Sequence, residues 1–241
     1  MKVFVRSDVG RVRPLNEDSF YQPAEGENFC AIADGMGGHN AGEVASALAV
    51  KVYAETLRNA PAITAQVMHR AVETANDAVH RESMRAEGCS GMGTTFTALG
   101  QAGNNVHIAH VGDSRAYLIR NGAIMRLTID HTLVEEMVLK GLITPRAAKY
   151  HPRRNYITRA LGTSEHVEVD LIQIERMPGD VFFLCTDGLS NHVDEKRILE
   201  LAQGEGSWEE KVSAAVDDAL ADGGPDNITA MFVTFEEETH Q

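Results

Sequence analysis

The sequence has few cysteines, few aromatic residues and no long apolar run, and each shortage excludes a class of protein. Only three of its 241 residues are cysteines, Cys30, Cys89 and Cys185, and none forms a C-x-x-C pair, which argues against a disulfide framework or a zinc cage. Aromatic residues make up 6%, too few for a platform that stacks single-stranded nucleic acid. No apolar run approaches the roughly 20 residues of a membrane span or forms a signal peptide, so we expect a cytoplasmic protein without membrane association.

Basic residues are also scarce relative to acidic ones. The 22 lysines and arginines face 35 aspartates and glutamates, which gives a formal charge of −13. This charge repels a polyanion, so we expect no nucleic-acid partner. It also repels a phosphorylated substrate, unless bound divalent cations reverse the potential locally. The hydrophobic fraction of 43% is sufficient for a substantial core.

Short apolar or alternating segments predict many strands, separated by Gly, Asp, Asn or Pro. The predicted strands lie at 2–6, 29–33, 94–99, 105–111, 115–120, 167–174, 180–185 and 228–235. Apolar residues at four-residue spacing predict two adjacent helices, the first with the stripe Val44, Leu48 and Val52 and the second with Val67, Ala71, Ala75 and Val79. A Ser207–Glu210 capping box starts a later helix. The order of elements differs from regular βαβ alternation, so we expect antiparallel sheets with helices packed outside them.

Nothing in the sequence divides the chain. It contains no internal repeat, low-complexity tract or Pro/Gly/Ser-rich linker, so we predict one domain over residues 1–241. The stretch at 130–163 is polar and contains short helical pieces, which indicates a surface insertion within that domain.

Carboxylates recur where apolar strands begin or end. Two of these carboxylates stand in the Asp-Gly pairs Asp34-Gly35 and Asp187-Gly188, and such a pair on its own is typical of a plain turn. A whole series favours convergence of the acids on one site, and the series comprises Glu17, Asp18, Asp34, Asp113, Asp187 and Asp226. Converging carboxylates repel one another unless cations lie between them, and all-oxygen ligands favour Mg²⁺ or Mn²⁺ over zinc. Gly35 also allows its backbone carbonyl to approach an ion, because no Cβ obstructs it.

An ordered series of motifs resembles the PPM, or protein phosphatase 2C-type, serine/threonine phosphatases, in particular their compact bacterial members. The motifs are SDVGRVRPLNED at 7–18, ADGMGGHNAGE at 33–43, GMGTT at 91–95, GDSRA at 112–116, TRALG at 158–162, CTDG at 185–188 and GPDN at 224–227. Any one motif is weak, but the ordered series spans nearly the whole chain. The resemblance implies an α+β fold with a central antiparallel β-sandwich flanked by helix pairs, and a small flap at about 130–163.

The resemblance also implies a ligand set for two core Mn²⁺ or Mg²⁺ ions and a possible third ion. Asp34 is expected to bridge the two core ions. The other core ligands are expected to be Asp187, Asp226 and the Gly35 carbonyl, with Glu17 and Asp18 acting nearby, in part through water. The third, weaker ion is expected at Asp113 together with Asp187.

Two further residues gain roles from the same motifs. Arg13 is expected to hold the phosphate bidentately, although an arginine met alone is typical of a solvated loop. His39 is expected to protonate the departing serine or threonine oxygen. Because Met-Gly-Gly separates this histidine from Asp34-Gly35, capping of the following helix is the alternative interpretation.

The predicted activity is hydrolysis of phosphoserine and phosphothreonine in proteins by a metal-activated water, without a covalent enzyme intermediate. No cysteine begins a Cys-x₅-Arg signature, which argues against a cysteine phosphatase. The expected partners are phosphorylated proteins, including a serine/threonine kinase and its substrates, and we expect a monomer. The basic residues between Arg146 and Arg154 either guide such proteins or form an ordinary solvated face. The alternatives to a protein phosphatase are a pseudoenzyme, disfavoured by the intact carboxylates, and a hydrolase of nucleotides.

Overall fold

The computed structural model describes residues 1–37, 41–85 and 88–235. These ranges contain strands and helices in an irregular order. In chain order they are β1 (Lys2–Asp8), β2 (Asp18–Tyr21), β3 (Phe29–Met36), α1 (Ala41–Arg58), α2 (Ala65–Arg85), β4 (Gly93–Thr94), β5 (Phe96–Ala102), β6 (Asn105–Val111), β7 (Arg115–Arg120), β8 (Ala123–Arg126), α3 (Leu133–Leu139), α4 (Pro145–Lys149), β9 (Asp170–Glu175), β10 (Val181–Cys185), α5 (Asp187–Ser190), α6 (Glu195–Gln203), α7 (Trp208–Ala221) and β11 (Ile228–Thr234). None of the helices in these ranges combines the length and apolarity needed to cross a bilayer.

The strands form two antiparallel sheets. One, called here the β11 sheet, has the strand order β1-β11-β10-β7-β8. The other, the β3 sheet, has the order β2-β3-β5-β6-β9. The short β4, which directly precedes β5 in the chain, pairs with the C-terminal end of β3. Every pairing is antiparallel, as the irregular element order predicts.

Three apolar layers hold the sheets and helices together. Between the sheets, side chains such as Ile32 and Ile108 of the β3 sheet pack with Phe182 of the β11 sheet. Helices α1 and α2 cover the outer face of the β3 sheet, and α6 and α7 cover that of the β11 sheet. Central strands buried on both faces read as continuous apolar runs, which is why β3 and β10 were predictable. The predicted sandwich flanked by helix pairs is confirmed.

The apolar stripe predicted for α1 is wrong in detail. Of the predicted stripe, Leu48 and Val52 pack against the core, but Val44 is exposed. The fully buried face carries Ala45, Ala49 and Tyr53. Small alanines allow the helix to approach the β3 sheet and α2 closely, and this outweighs the preference for burying the larger valine. The stripe of α2 and the Ser207–Glu210 capping box of α7 are confirmed.

The polar stretch at 130–163 carries α3 and α4, and its two ends lie side by side. Thr132 and Ile157 form an antiparallel bridge, and the Thr158 amide donates to the His131 carbonyl at 2.8 Å. Each helix begins with a threonine cap, Thr132 for α3 and Thr144 for α4. The segment therefore leaves the β-sandwich and returns to it at one narrow base.

Candidate metal centre

Five aspartates reach one end of the sandwich from both sheets. Asp18 opens β2 directly across from Asp34 of β3, and Asp113 follows the end of β6. From the β11 sheet, Asp187 opens α5 just after β10, and Asp226 precedes β11. The four other carboxylates all repel the charge of Asp34, so the acids lie near enough to act on one another. The structure thus brings these five predicted residues together.

Asp34 lies inside a strand, not after its end as the predicted strand at 29–33 implied. The apolar run stops at Ala33, but β3 continues to Met36 because β4 supplies further pairing. The Asp34 amide donates to Thr95 Oγ1 at 2.9 Å, and the Asp34 carbonyl accepts from the Thr95 amide and from Thr94 Oγ1, both at 2.9 Å. These bonds fix the backbone from which the Asp34 carboxylate projects.

The pKa values of four clustered aspartates, Asp18, Asp34, Asp113 and Asp187, are raised. Burial is the main cause in each case, and repulsion between neighbouring carboxylates adds to it. The pKa of Asp18 rises to about 7 and that of Asp113 to about 8, while those of Asp34 and Asp187 also rise. Opposite charge placed among these groups would reverse the effect, so the cluster favours a cation.

Asp18 is bound from the opposite sheet. Its Oδ2 accepts hydrogen bonds from the hydroxyl of Thr186, directly after β10, at 2.9 Å and from that of Thr229, the second residue of β11, at 2.7 Å. Its Oδ1 is buried and has no hydrogen-bond partner in the described residues, and the same is true of Asp113 Oδ1. Buried carboxylate oxygens without donors are rare, and a divalent cation is a partner that satisfies them.

A single amide side chain, Asn227, ties the loops of the centre together. Its Nδ2 donates to the carbonyls of Val9 and Leu15, both at 2.9 Å, and its Oδ1 accepts from the Glu17 amide at 2.8 Å. It therefore fixes Glu17 beside the loop that carries Asp226. Asn227 belongs to the GPDN motif, but the motif alone indicates no structural role for it.

Glycine is required at two points of close approach. A Cβ on Gly35 would lie 2.1 Å from the Gly42 carbonyl oxygen and 2.6 Å from that of Glu17. A Cβ on Gly188, directly after Asp187, would lie 1.9 Å from the Asn227 carbonyl oxygen. Close packing of the backbone thus requires glycine in both Asp-Gly pairs. Because Gly35 has no side chain, its carbonyl, a predicted metal ligand, is also left unobstructed.

Arg13 reaches the centre, whereas the placement of His39 lies outside the described residues. The Arg13 guanidinium donates from Nη2 to Asp226 Oδ2 at 2.9 Å, and about half of its side chain, 48%, is exposed. One end of the centre therefore carries a solvent-accessible positive group next to a predicted metal ligand. A guanidinium in such a place can bind an anion from solution.

The clustered aspartates lie near one another but are not arranged around a common metal position in the described residues. Across residues 1–37, 41–85 and 88–235, no three acidic, histidine or cysteine side chains form a ready ligand group. Ligation of Mg²⁺ requires oxygens about 2.0–2.1 Å from one point, whereas repulsion between charges acts over longer distances. The carboxylates can therefore raise one another's pKa values without their oxygens being arranged as metal ligands. The oxygen-only chemistry and the two donor-less oxygens fit Mg²⁺ or Mn²⁺.

Known proteins with similar sequences are bacterial phosphatases. Serine/threonine protein phosphatase PstP of Mycobacterium tuberculosis is 42% identical over 233 residues, which cover 96% of this chain and 44% of that protein. Serine/threonine phosphatase stp of Listeria monocytogenes is 37% identical over 235 residues, covering 95% and 93%. The chain therefore spans less than half of the mycobacterial protein but nearly all of the listerial one.

Solved structures agree with the fold. The crystal structure of the M. tuberculosis phosphatase PstP/Ppp aligns with a TM-score of 0.91 at 40% identity, covering 98% of this chain and 99% of that one. The catalytic domain of PstP in complex with 2 manganese ions aligns with a TM-score of 0.86 at 40% identity, covering 96% of each chain. Residues 11–222 also match the family described as Protein phosphatase 2C. The resemblance noted in the motifs is confirmed: the chain belongs to the protein phosphatase 2C family.

Proposed function

We propose that this chain is a metal-dependent protein phosphatase that hydrolyses phosphoserine and phosphothreonine by direct attack of water. The observation that carries the proposal is the gathering of aspartates from both sheets, two of which keep a buried oxygen without a donor in the described residues. Such a cluster is unfavourable as a purely structural feature, because burial and repulsion both oppose its ionisation. It is favourable where divalent cations supply the missing charge.

The residues present fit two core Mn²⁺ or Mg²⁺ ions. Asp34, Asp187, Asp226 and the Gly35 carbonyl would hold them, with Glu17 and Asp18 acting in part through water, and Asp113 with Asp187 would hold a third. The manganese in the structure of the mycobacterial catalytic domain supports this assignment. When bound, such ions lower the pKa of water and neutralise charge on the phosphoryl oxygens.

Arg13 and Asp18 are proposed to act on the substrate and on the attacking water. The guanidinium of Arg13 presents a planar fork that binds two phosphate oxygens, and its exposure lets a phosphate enter from solution. Asp18, held through Oδ2 by two threonine hydroxyls, keeps Oδ1 for the attacking water. We assign protonation of the leaving oxygen to His39, on the motif alone.

The relatives' names support phosphorylated proteins as substrates. We further propose that these include a serine/threonine kinase and its targets, and that the protein acts as a monomer in the cytoplasm. Free cysteines, of which Cys30 and Cys185 are buried, suit a reducing compartment.

The test is release of phosphate from a phosphothreonine peptide by the purified protein with Mn²⁺ or Mg²⁺. We expect release that EDTA abolishes and that Asp187→Asn lowers by at least about a hundredfold, since removal of a core ligand removes the ions that carry the charge stabilisation. Asp77→Asn, an exposed change on α2 with the same loss of charge, is the matched control. Equal activity of the two variants would contradict the proposal, and preference for a nucleotide over the phosphopeptide would redirect it to small substrates.

A further inference from the structure

The turn that carries Asp113 is held from outside. It links β6 to β7, and it begins at Gly112, whose φ is +109°. Asp113 is buried, yet its Oδ1 finds no donor in the parts of the chain that the structure describes. The direction of this carboxylate therefore depends on how the backbone of its turn is fixed.

His131 makes two reciprocal bonds to that turn. Its backbone amide donates to the Gly112 carbonyl at 2.7 Å, and its ring Nδ1 accepts from the Gly112 amide at 3.0 Å. An Nδ1 that accepts from an amide carries no proton, so the ring proton lies on Nε2. The side chain is buried, which keeps water from competing for the Gly112 amide.

Asp170, the first residue of β9, selects this form of the ring. Its Oδ2 lies 3.1 Å from His131 Nε2 and accepts the ring proton, while its Oδ1 accepts from Arg159 Nη1 at 2.8 Å. Arg159 Nη1 also lies 3.0 Å from Nε2, but two donors cannot bond to each other, so the carboxylate is the partner of both. A carboxylate behind a histidine fixes the orientation of that histidine as well as its tautomer.

The residue before His131 holds the other side of the same turn. Asp130 accepts from Arg115 through Nε and Nη2, the latter at 2.7 Å, and Arg115 stands two residues after Asp113. Consecutive residues thus hold the turn on both flanks of Asp113. His131 acts on the turn through the Gly112 backbone, whereas Asp130 holds Arg115 and its negative charge also acts directly on Asp113, raising the pKa of that carboxyl.

We propose that His131, oriented by Asp170, is a positioning residue that directs the Asp113 carboxylate into the metal centre. The inference rests on the proposed function, because the ligand role of Asp113 belongs to it. The pair is separated in sequence from the motifs that carry the carboxylates, and the phosphatase assignment gives it no role.

Two amide replacements separate the functions of the ring nitrogens. His131→Asn places an oxygen near the site of Nδ1 and can still accept from the Gly112 amide, whereas His131→Gln places its amide near Nε2 and cannot. We expect His131→Gln to weaken the Asp113-dependent Mn²⁺ binding step by about tenfold, as loss of residues supporting metal ligands typically does. His131→Asn should restore most of that binding.

The experiment combines Mn²⁺ calorimetry with amide exchange of Gly112 in the metal-free protein. We expect His131→Gln to lose protection at Gly112, and its effect on Mn²⁺ to vanish in an Asp113→Asn background, as a double-mutant cycle detects. Wild-type affinity in His131→Gln, or a loss that persists without Asp113, would overturn the proposal.

A measurement on the wild type keeps the proposal testable if His131→Gln does not fold. Imidazole ¹⁵N shifts of the metal-free protein should place the His131 proton on Nε2, and a proton on Nδ1 would refute the role because Gly112 could then not donate to it. Failure of the proposed function is recognised separately, as absence of Mn²⁺-dependent phosphate release by the wild type. These readouts use no substrate, so the two failures are distinct.

Discussion

The metal-free protein should become less stable as the pH rises from 7 to 9. The pKa of Asp18 is raised from 3.8 to about 7, chiefly by burial, so the native carboxyl keeps a proton that the unfolded chain has already released. The native state then binds more protons than the unfolded state, and the free energy of unfolding falls as the pH rises through 7. Each pKa unit corresponds to about 1.4 kcal/mol, and most of this fall lies between pH 4 and 7. Above pH 7 the Asp18 carboxyl is already at least half ionised, so it lowers stability by only about 0.4 kcal/mol between pH 7 and 9.

Asp113, with its pKa raised to about 8, adds roughly 1.4 kcal/mol over the same range. Buried histidines act in the opposite direction but mostly below pH 7: burial lowers the pKa of His110 to about 3, so its opposing contribution is nearly complete at neutrality. Together the carboxylates outweigh the histidines above pH 7.

Urea unfolding in EDTA, followed by circular dichroism at several pH values, measures this slope. In Asp113→Asn the side chain no longer ionises, so we expect the decrease between pH 7 and 9 to shrink by about 1.4 kcal/mol, whereas Asp18→Asn should shrink it by only about 0.4 kcal/mol. Asp77→Asn, on the exposed face of α2, is the control and should keep the wild-type slope. Saturating Mn²⁺ should reverse the trend, because ligands bind metal only when deprotonated. A metal-free stability that is flat or rises from pH 7 to 9, or an unchanged slope in Asp113→Asn, would refute the reasoning.

Three other substitutions give measurable outcomes. Ser207→Ala removes the side chain that caps α7 through the Glu210 amide and should lower the free energy of unfolding by about 1 kcal/mol in a urea titration. Gly188→Ala places a Cβ 1.9 Å from the Asn227 carbonyl oxygen, so it should displace the loop before β11 and weaken Mn²⁺ binding by at least about tenfold in calorimetry, and unchanged affinity would contradict the packing argument. Tyr53→Phe removes a buried hydroxyl without a partner in the described residues and should raise the free energy of unfolding by about 1 kcal/mol, whereas a loss of stability would reveal a hidden partner.

The central strands and the edge strands β1 and β9 were predictable from sequence, but the short edge strands β2 and β8 were not. Strands such as β10 are buried on both faces and therefore show as unbroken apolar runs. The strands β2 and β8 are four residues each, lie at sheet edges and alternate with polar residues, so they give little pattern to detect. The continuation of β3 through Asp34 and Gly35 depends on pairing with β4, which no local pattern indicates.

The carboxylates could be predicted because each stands at a boundary between an apolar segment and a polar one. Their supporting residues could not be predicted in the same way. Thr229 bonds to Asp18 across 211 positions of sequence, and Asn76 bonds to Gly162 across 86, so only the topology brings these partners together. His131 belongs to this group: a single histidine next to an aspartate indicates no role until Gly112 and Asp170 are seen beside it.

The division of the acids between the two sheets has a consequence for assembly. Asp18, Asp34 and Asp113 come from the β3 sheet and its loops, while Asp187 and Asp226 come from the β11 sheet. Neither sheet alone carries all five aspartates, so tight binding of the ions would require that the two sheets have docked. An ion bound by aspartates of both sheets would stabilise the docked sandwich, because its binding free energy would oppose separation of the sheets at the metal centre.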